Sequence, residues 1–288
     1  MIPQISPGDT MIKNMLILCF LVGPAFGGWT FVSESRTSDD KGNINQKMIV
    51  RSMVDGNNGK FIFEEASGSP MTTTGNYLIT NNGGETIYMV DPVNKTYSQF
   101  DVKSLMQVAG SMMNMVQGVV KMEFTDPEVK ILEERAGEKV EGMPTKYRKS
   151  NTTYEMRIKV LGMKKVMDVE IVEESWTTKA FSDMAFSAWL TNDPAPTGNE
   201  DLDRVILASV KQIDGYPLKM IQTNTTTTWN KKKTKVKDKS TTRTLTVVTN
   251  LKNEKVDASQ FKIPETYVQS ESQEQGAIDD LKNIFNKN

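Results

Sequence analysis

From Trp29 almost to its end, this chain is written in short alternating runs separated by turn residues, and that period of two constrains its fold more than any other feature. Trp29-Thr30-Phe31-Val32-Ser33-Glu34 alternates. Lys47 to Val54 and Lys60 to Glu64 flank the turn Asp55-Gly56-Asn57-Asn58-Gly59, and Tyr77 to Thr80 and Thr86 to Val90 flank Asn81-Asn82-Gly83-Gly84. Gly and Asn tolerate the positive φ that tight hairpins require, so these pairs read as antiparallel neighbours. Asp91-Pro92-Val93-Asn94 turns directly into Lys95 to Gln99. Strands resume at Glu123 to Lys130, Lys146 to Val160 and Lys165 to Trp176, and a long hairpin runs out along Leu218 to Trp229 and back along Thr241 to Leu251.

Two segments abandon the alternation for a helical period. Between Asp101 and Met122, apolar Leu105, Met106, Ala109, Met112, Met113, Val116, Val119 and Val120 share one half of a helical cylinder, and Ser104, Gln107, Ser111, Asn114 and Gln117 lie in the opposite arc. Five methionines lie between Met106 and Met122; unbranched thioethers fill core space and also recur at adaptable apolar binding surfaces. The second insert runs from Phe181 through Trp189 and, past a Pro-rich loop, from Leu202 to Ile213, where Leu202, Val205, Ile206 and Val210 share a face. The expected fold is mainly β, of α+β type: a strongly curved antiparallel sheet of about eleven strands, with helical inserts at 101–120 and 181–213 packed on its concave side.

The N-terminus has the layout of a secretory signal. A short basic stretch at Met11-Ile12-Lys13-Asn14 precedes the apolar run Met15 to Val22, a Gly23-Pro24 break and the small-residue pattern Ala25-Phe26-Gly27. Residues 1–10 have no part in this scheme. Cys19, the only cysteine, is preceded by Leu18 and followed by Phe20-Leu21-Val22, which is not a lipidation signal. The expectation is a periplasmic, unlipidated domain over 28–267, free of thiols and disulfides, followed at 268–288 by a polar linker and a short amphipathic helix around Ile278, Leu281, Ile284 and Phe285.

Composition narrows the chemistry. With no histidine anywhere, His-activated nucleophiles and His-ligated zinc or haem are excluded, and the absence of mature cysteine excludes thiolate sites. Asp and Glu are numerous but interleaved with Lys and Arg, the pattern of solvated sheet faces, and no catalytic pair stands out. The expectation is therefore no enzyme, no metal and no cofactor. A formal charge of -1 argues against nucleic acid as a partner.

Several spaced motifs together resemble an exported bacterial family, the domain of unknown function numbered 4412. They are Asp91-Pro92-Val93-Asn94-Lys95-Thr96-Tyr97; Gly142-Met143-Pro144-Thr145-Lys146-Tyr147; Glu174-Ser175-Trp176; Asp214-Gly215-Tyr216-Pro217-Leu218; and Phe261, Ile263, Pro264 and Tyr267. The family often carries a cysteine where Thr145 stands. It is similar to the LolA/LolB lipoprotein carriers, and the resemblance implies a half-open barrel whose helices plug a cavity for acyl chains. On that implication the cavity or lid residues are Met106, Met113, Val116, Val205 and Ile206, with Phe61, Phe63, Ile87, Met89 and Trp176 as walls. Read from the residues alone, Trp176 is a core tryptophan and the two proline motifs set turn geometry at sheet edges.

Lys231, Lys232, Lys233, Lys235, Lys237 and Lys239 crowd the tip of the long hairpin. They read as a solvated tip that discourages edge aggregation, or as a contact for anionic headgroups worth about 1 kcal/mol per lysine. Two functions remain: a carrier or chaperone for lipid or lipoprotein acyl chains, and an envelope scaffold contacting other envelope proteins through a filled core. Sequencing the exported protein from its N-terminus is expected to read Gly28-Trp29-Thr30. An acylated Cys19 terminus would contradict it.

Overall fold

A computed structural model describes residues 27–68, 73–101, 120–160, 163–181, 196, 200–210, 214–230 and 232–270. The alternation becomes one open sheet of 13 strands. β1 (Gly28–Ser38), β2 (Ile44–Asp55), β3 (Asn58–Ser67), β4 (Tyr77–Thr80), β5 (Thr86–Asp91) and β6 (Thr96–Asp101) form an antiparallel meander leading from the middle of the sheet to one edge. The chain then reappears at the opposite edge. There β7 (Val120–Phe124) and β8 (Glu128–Ala136) pair successively with β9 (Lys146–Val160), and β10 (Met163–Thr178), β11 (Tyr216–Trp229) and β12 (Val236–Glu254) meander back until β12 pairs with β1. Between β7 and β8 the pairing is held by Thr125, whose N–H donates to the Glu155 carbonyl at 3.0 Å and whose Oγ1 accepts from the Glu155 N–H at 2.8 Å.

The β1/β12 seam runs from Gly28 opposite Glu254 to Ser38 opposite Arg243, with a register shift between Thr30 and Val32. Because directly paired residues point to the same side, the registers assign every strand residue to one of two faces. Trp29, Phe31, Ser52, Val54, Phe61, Leu78, Met89, Leu218 and Val248 share the first, here the Phe31 face. Ile62, Tyr77, Ile79, Tyr88, Val90 and Tyr97 share the second, the Tyr77 face.

Each face carries its own core. On the first, Phe31, Val54, Leu218 and Val248 are buried with Phe181, whose ring centre lies 5.0 Å from Trp29, 5.8 Å from Phe31 and 4.9 Å from Tyr216. On the second, Tyr77, Ile79 and Val90 are covered by Ile263 and Tyr267, from the segment that follows a 3-10 turn at Ala258–Phe261. This segment ends as β13 (Val268–Gln269), parallel to β6.

The structure departs from the sequence reading in three places. There are more strands than the about eleven expected, since β13 and most of β8 carry little alternation. The lysine-rich start of β12 is strand from Val236 rather than loop to Thr241. The polar linker expected from Val268 is still sheet: Ser270 N donates to the Tyr97 carbonyl at 2.8 Å, and the Ser270 and Ser98 hydroxyls are 2.8 Å apart. The insert expected over 181–213 contains α1 (Glu200–Val210), with Glu200, Asp201 and Asp203 in its first turn, where the helix dipole favours carboxylates. The expected helix at 101–120 falls almost wholly outside the described residues, so helices on a concave side are not part of the described architecture.

Phe181 connects the end of β10 to the Phe31-face core and is fully buried. Phe181→Ala is expected to destabilise the fold by about 3–5 kcal/mol, read as a fall in the denaturation midpoint with an unchanged slope.

Candidate functional site

The register brings four of the expected wall residues together. Phe61 pairs with Leu78 and Leu78 with Met89, while Ile87 pairs with Phe100, so Phe61, Phe63, Leu78, Ile87, Met89 and Phe100 form an apolar field on the Phe31 face across β3 to β6. Phe63 and Phe100 are buried and the others half-buried. Leu78 and Phe100 were not singled out from sequence, although their two-residue spacing from Thr80 and Ser98 marks the same face.

Trp176 is on the other side. It pairs with Tyr147 and Lys219, whose row continues through Val247 to Glu34, opposite in sense to Phe31 and Val248. Its ring lies 4.9 Å from Tyr147 and 4.3 Å from the Lys219 Nζ, and Tyr147 Oη donates to Glu174 at 2.9 Å. Burial and the neighbouring Glu174 carboxylate push the Tyr147 phenol up to about 12. This is an outer-face cluster that does not join the Phe61 to Met89 field.

Of the expected lid residues, Val205 and Ile206 are half-buried on α1. The helix lies at the β7 edge, where the Phe124 N–H donates to Asp201 at 3.5 Å and Arg204 pairs with Asp126 at 2.9 Å. Met106, Met113 and Val116 lie outside the described residues, as does Lys231. Lys232, Lys235 and Lys237 are exposed, whereas Lys233 is tied to Glu155 and Asp168, each at 2.7 Å.

The Phe31 face changes character along β9 to β12. Next to the aromatic core, Tyr216 is half-buried with its phenol pushed up to about 12 by desolvation, so it stays neutral and bonds Ser33. Farther along, Ser150, Glu173, Gln222, Thr244 and Thr37 form one cross-strand row. Gln222 Nε2 donates to Glu173 at 3.3 Å, and the Thr37 and Thr244 hydroxyls are 3.0 Å apart. The Thr246 Oγ1 donates to Ser35 at 3.2 Å in the neighbouring row. An apolar chain is therefore matched by β3 to β6 and by the Phe31 cluster, while this polar band suits hydroxyl or amide groups.

The grooves that described residues form by themselves are elsewhere. One of about 510 Å³ is lined by Thr153, Glu155, Asp168, Glu170, Thr225 and Thr227 on the Tyr77 face, and another of about 490 Å³ by Met143, Pro144, Thr177, Lys179 and Ala180 at the β10 end. No acid–base pair with a nucleophile is assembled among the described residues named here.

Several solved proteins superpose on the chain loosely, at low sequence identity. A LolA superfamily protein from Nitrosomonas europaea superposes with a TM-score of 0.30 and 9% identity, over 87% of this chain and 96% of that one. An outer membrane lipoprotein-sorting protein domain from Vibrio parahaemolyticus gives 0.29 and 12%, over 86% and 95%. PNGF-II gives 0.31 and 12%, over 85% of this chain but only 31% of that one. No family model matches the chain. No curated protein matches it. Superpositions this loose leave ligand and activity to be argued from the chain's own geometry.

Burial raises the Glu173 carboxyl above its ordinary value, against the lowering effect of Gln222. A carboxyl whose folded pKa exceeds its unfolded one costs stability once ionised, in full above the folded pKa and not at all below the unfolded value of about 4.3. Glu173→Gln is accordingly expected to raise the melting temperature at pH 8, with the gain vanishing by pH 4; a gain that persists at pH 4 would rule out ionisation as its cause.

Proposed function

We propose that this chain is a LolA-like periplasmic carrier or chaperone that holds a hydrophobic ligand, a lipid or a lipoprotein acyl chain, between the Phe31 face and its helical inserts. The observation that carries this reading is the shared orientation of Phe61, Phe63, Ile87 and Met89, a broad apolar field on one side of β3 to β6. The signal-like N-terminus supports export to the periplasm.

Topology supports the half-open barrel that such a cavity needs. β6 and β7 lie ten strand spacings apart in the sheet order, about 48 Å across a flat sheet. The Met-rich segment that joins them, if helical as its period predicts, extends only about 28 Å from Asp101 to Val120. A helix there requires the sheet to curl until its edges approach, and the apolar arc of Met106, Met113 and Val116 then crosses the mouth of the trough. On this reading helix α1 at the β7 edge, with Val205 and Ile206, forms the rest of the lid.

The test uses displacement of a fluorescent fatty acid. Met113→Asp and Val116→Asp place a carboxylate against the acyl chain and are expected to weaken binding at least tenfold, while the melting temperature falls only modestly because a lid swings into water. Ser111→Asp on the polar arc is expected to change neither. Unchanged probe binding with collapsed stability would identify the methionines as core and remove the carrier reading in favour of a filled scaffold.

A further inference from the structure

The basic run of the long hairpin is only part of a larger feature. Val166 pairs with Trp229, and Trp229 with Val236, so the paired ends of β9 and β10 and those of β11 and β12 lie side by side at the same end of the sheet. Lys164 is directly opposite Lys159 across the first hairpin. Like charges facing each other across a strand pair oppose folding, which makes this placement informative. Lys164, Lys165, Lys232, Lys235, Lys237 and Lys239 are all exposed, and among the described residues they have no ion pair.

The acids of this end are largely committed. Glu123 pairs with Lys159 at 3.7 Å, and Glu155 and Asp168 hold Lys233, with Glu155 also binding Arg157. The Asp168 carboxylate accepts from Trp229 Nε1 at 2.8 Å, which pins the second turn down onto β10. Lys233 is thus the residue that fixes the turn, and the other lysines stand free around it; Asp238 is the one acid interleaved among them in β12. Val236, large and apolar, is 43% exposed in their midst. Exposed ammonium groups with no ion pair among the described residues, gathered at one end of the sheet beside an exposed apolar side chain, are complementary to phosphates over hydrocarbon.

We propose that this end of the sheet, formed by Lys164 and Lys165 of β10 and by residues 232–239 leading into β12, docks on the surface of an anionic phospholipid bilayer. Lys164, Lys165, Lys232, Lys235, Lys237 and Lys239 supply the attraction, and Lys233 positions the turn. Docking does not require a ligand under the Phe31 face: vesicle binding by a chain that takes up no fatty-acid probe would leave this inference standing and remove only the carrier reading.

The purified protein in its exported form is sedimented with vesicles of phosphatidylcholine alone or with an equal part of phosphatidylglycerol. Binding is expected only to the anionic vesicles and is expected to be lost between about 0.05 and about 0.5 M salt. At about fivefold per lysine near a charged surface, the variant K164Q/K165Q/K237Q/K239Q is expected to bind at least tenfold more weakly. The variant K139Q/K252Q/K255Q/K262Q removes the same charge from exposed lysines at the far end of the sheet and is expected to stay within twofold of the parent. Equal losses in both variants, full retention in the first, or no preference for anionic vesicles would each overturn the proposal, the last leaving a soluble acidic partner as the occupant to seek.

Discussion

The pairing of β1 with β12 is the interaction on which the rest depends. Two meanders, each of which could close on itself as a separate small sheet, become one surface because Gly28 to Ser38 aligns with Glu254 to Arg243 over the length of both strands. Gly28 makes the lower end possible: a Cβ there would come within 2.4 Å of the Val54 carbonyl oxygen and 2.9 Å of a Val256 methyl. A slip of one residue along the seam would turn Val248 and Leu218 away from Phe31 and Val54 and split the aromatic core around Phe181. The bulge between Thr30 and Val32, opposite Asn250 with its φ of 56°, absorbs the mismatch between the two meanders without that slip.

The spaced motifs that stand out in the chain turn out to be the joints of this arrangement. Gly215 has a φ of 100°, and a Cβ on it would lie 2.6 Å from the Thr178 carbonyl oxygen, so the return into β11 admits only glycine. Tyr216 and Leu218, just beyond it, enter the Phe31 core. Asp214 in the same motif is bound by Lys146 at 3.2 Å and by Lys179 at 3.4 Å, and the Lys146 contact, with Lys179 assisting, holds its carboxyl below the usual range. Lys146 reaches Glu134 as well, at 3.0 Å, so one lysine ties β8, β9 and the β11 approach together. Ile263 and Tyr267 roof the Tyr77 cluster, and Phe261 just before them is buried. These residues hold the sheet in shape, and the candidate ligand field of Phe61, Ile87 and Met89 contains none of them.

The two faces serve different ends. The Tyr77 face is covered by the chain's own C-terminal segment over β3 to β6 and carries ion pairs and aromatic contacts over β8 to β11. The Phe31 face keeps half-buried apolar side chains over β3 to β6 and a hydroxyl and amide band over β9 to β12. Within the carrier role proposed above, such a division suits an amphiphile better than a uniformly apolar molecule.

What the sequence determined by itself was local: which runs are strands, which turns join them, and where the period lengthens to that of a helix. Those follow from side-chain alternation and from glycine and asparagine in the turns, both carried by neighbours in the chain. Phe61 with Phe63, and Ile87 with Met89, were legible as pairs from their two-residue spacing, whereas the pairing of β3 with β4 and of β4 with β5 decided that the two pairs share a face. Trp176 was assigned to the cavity by resemblance, and only the tertiary structure decided its side, because its face depends on three successive strand pairings back to Phe31 and on the bulges that shift parity. Likewise Lys164 and Lys165 are more than sixty positions from the lysines of β12; they meet at one end of the sheet because β10 and β11 pair across the whole intervening insert, a long-range contact that no local pattern encodes.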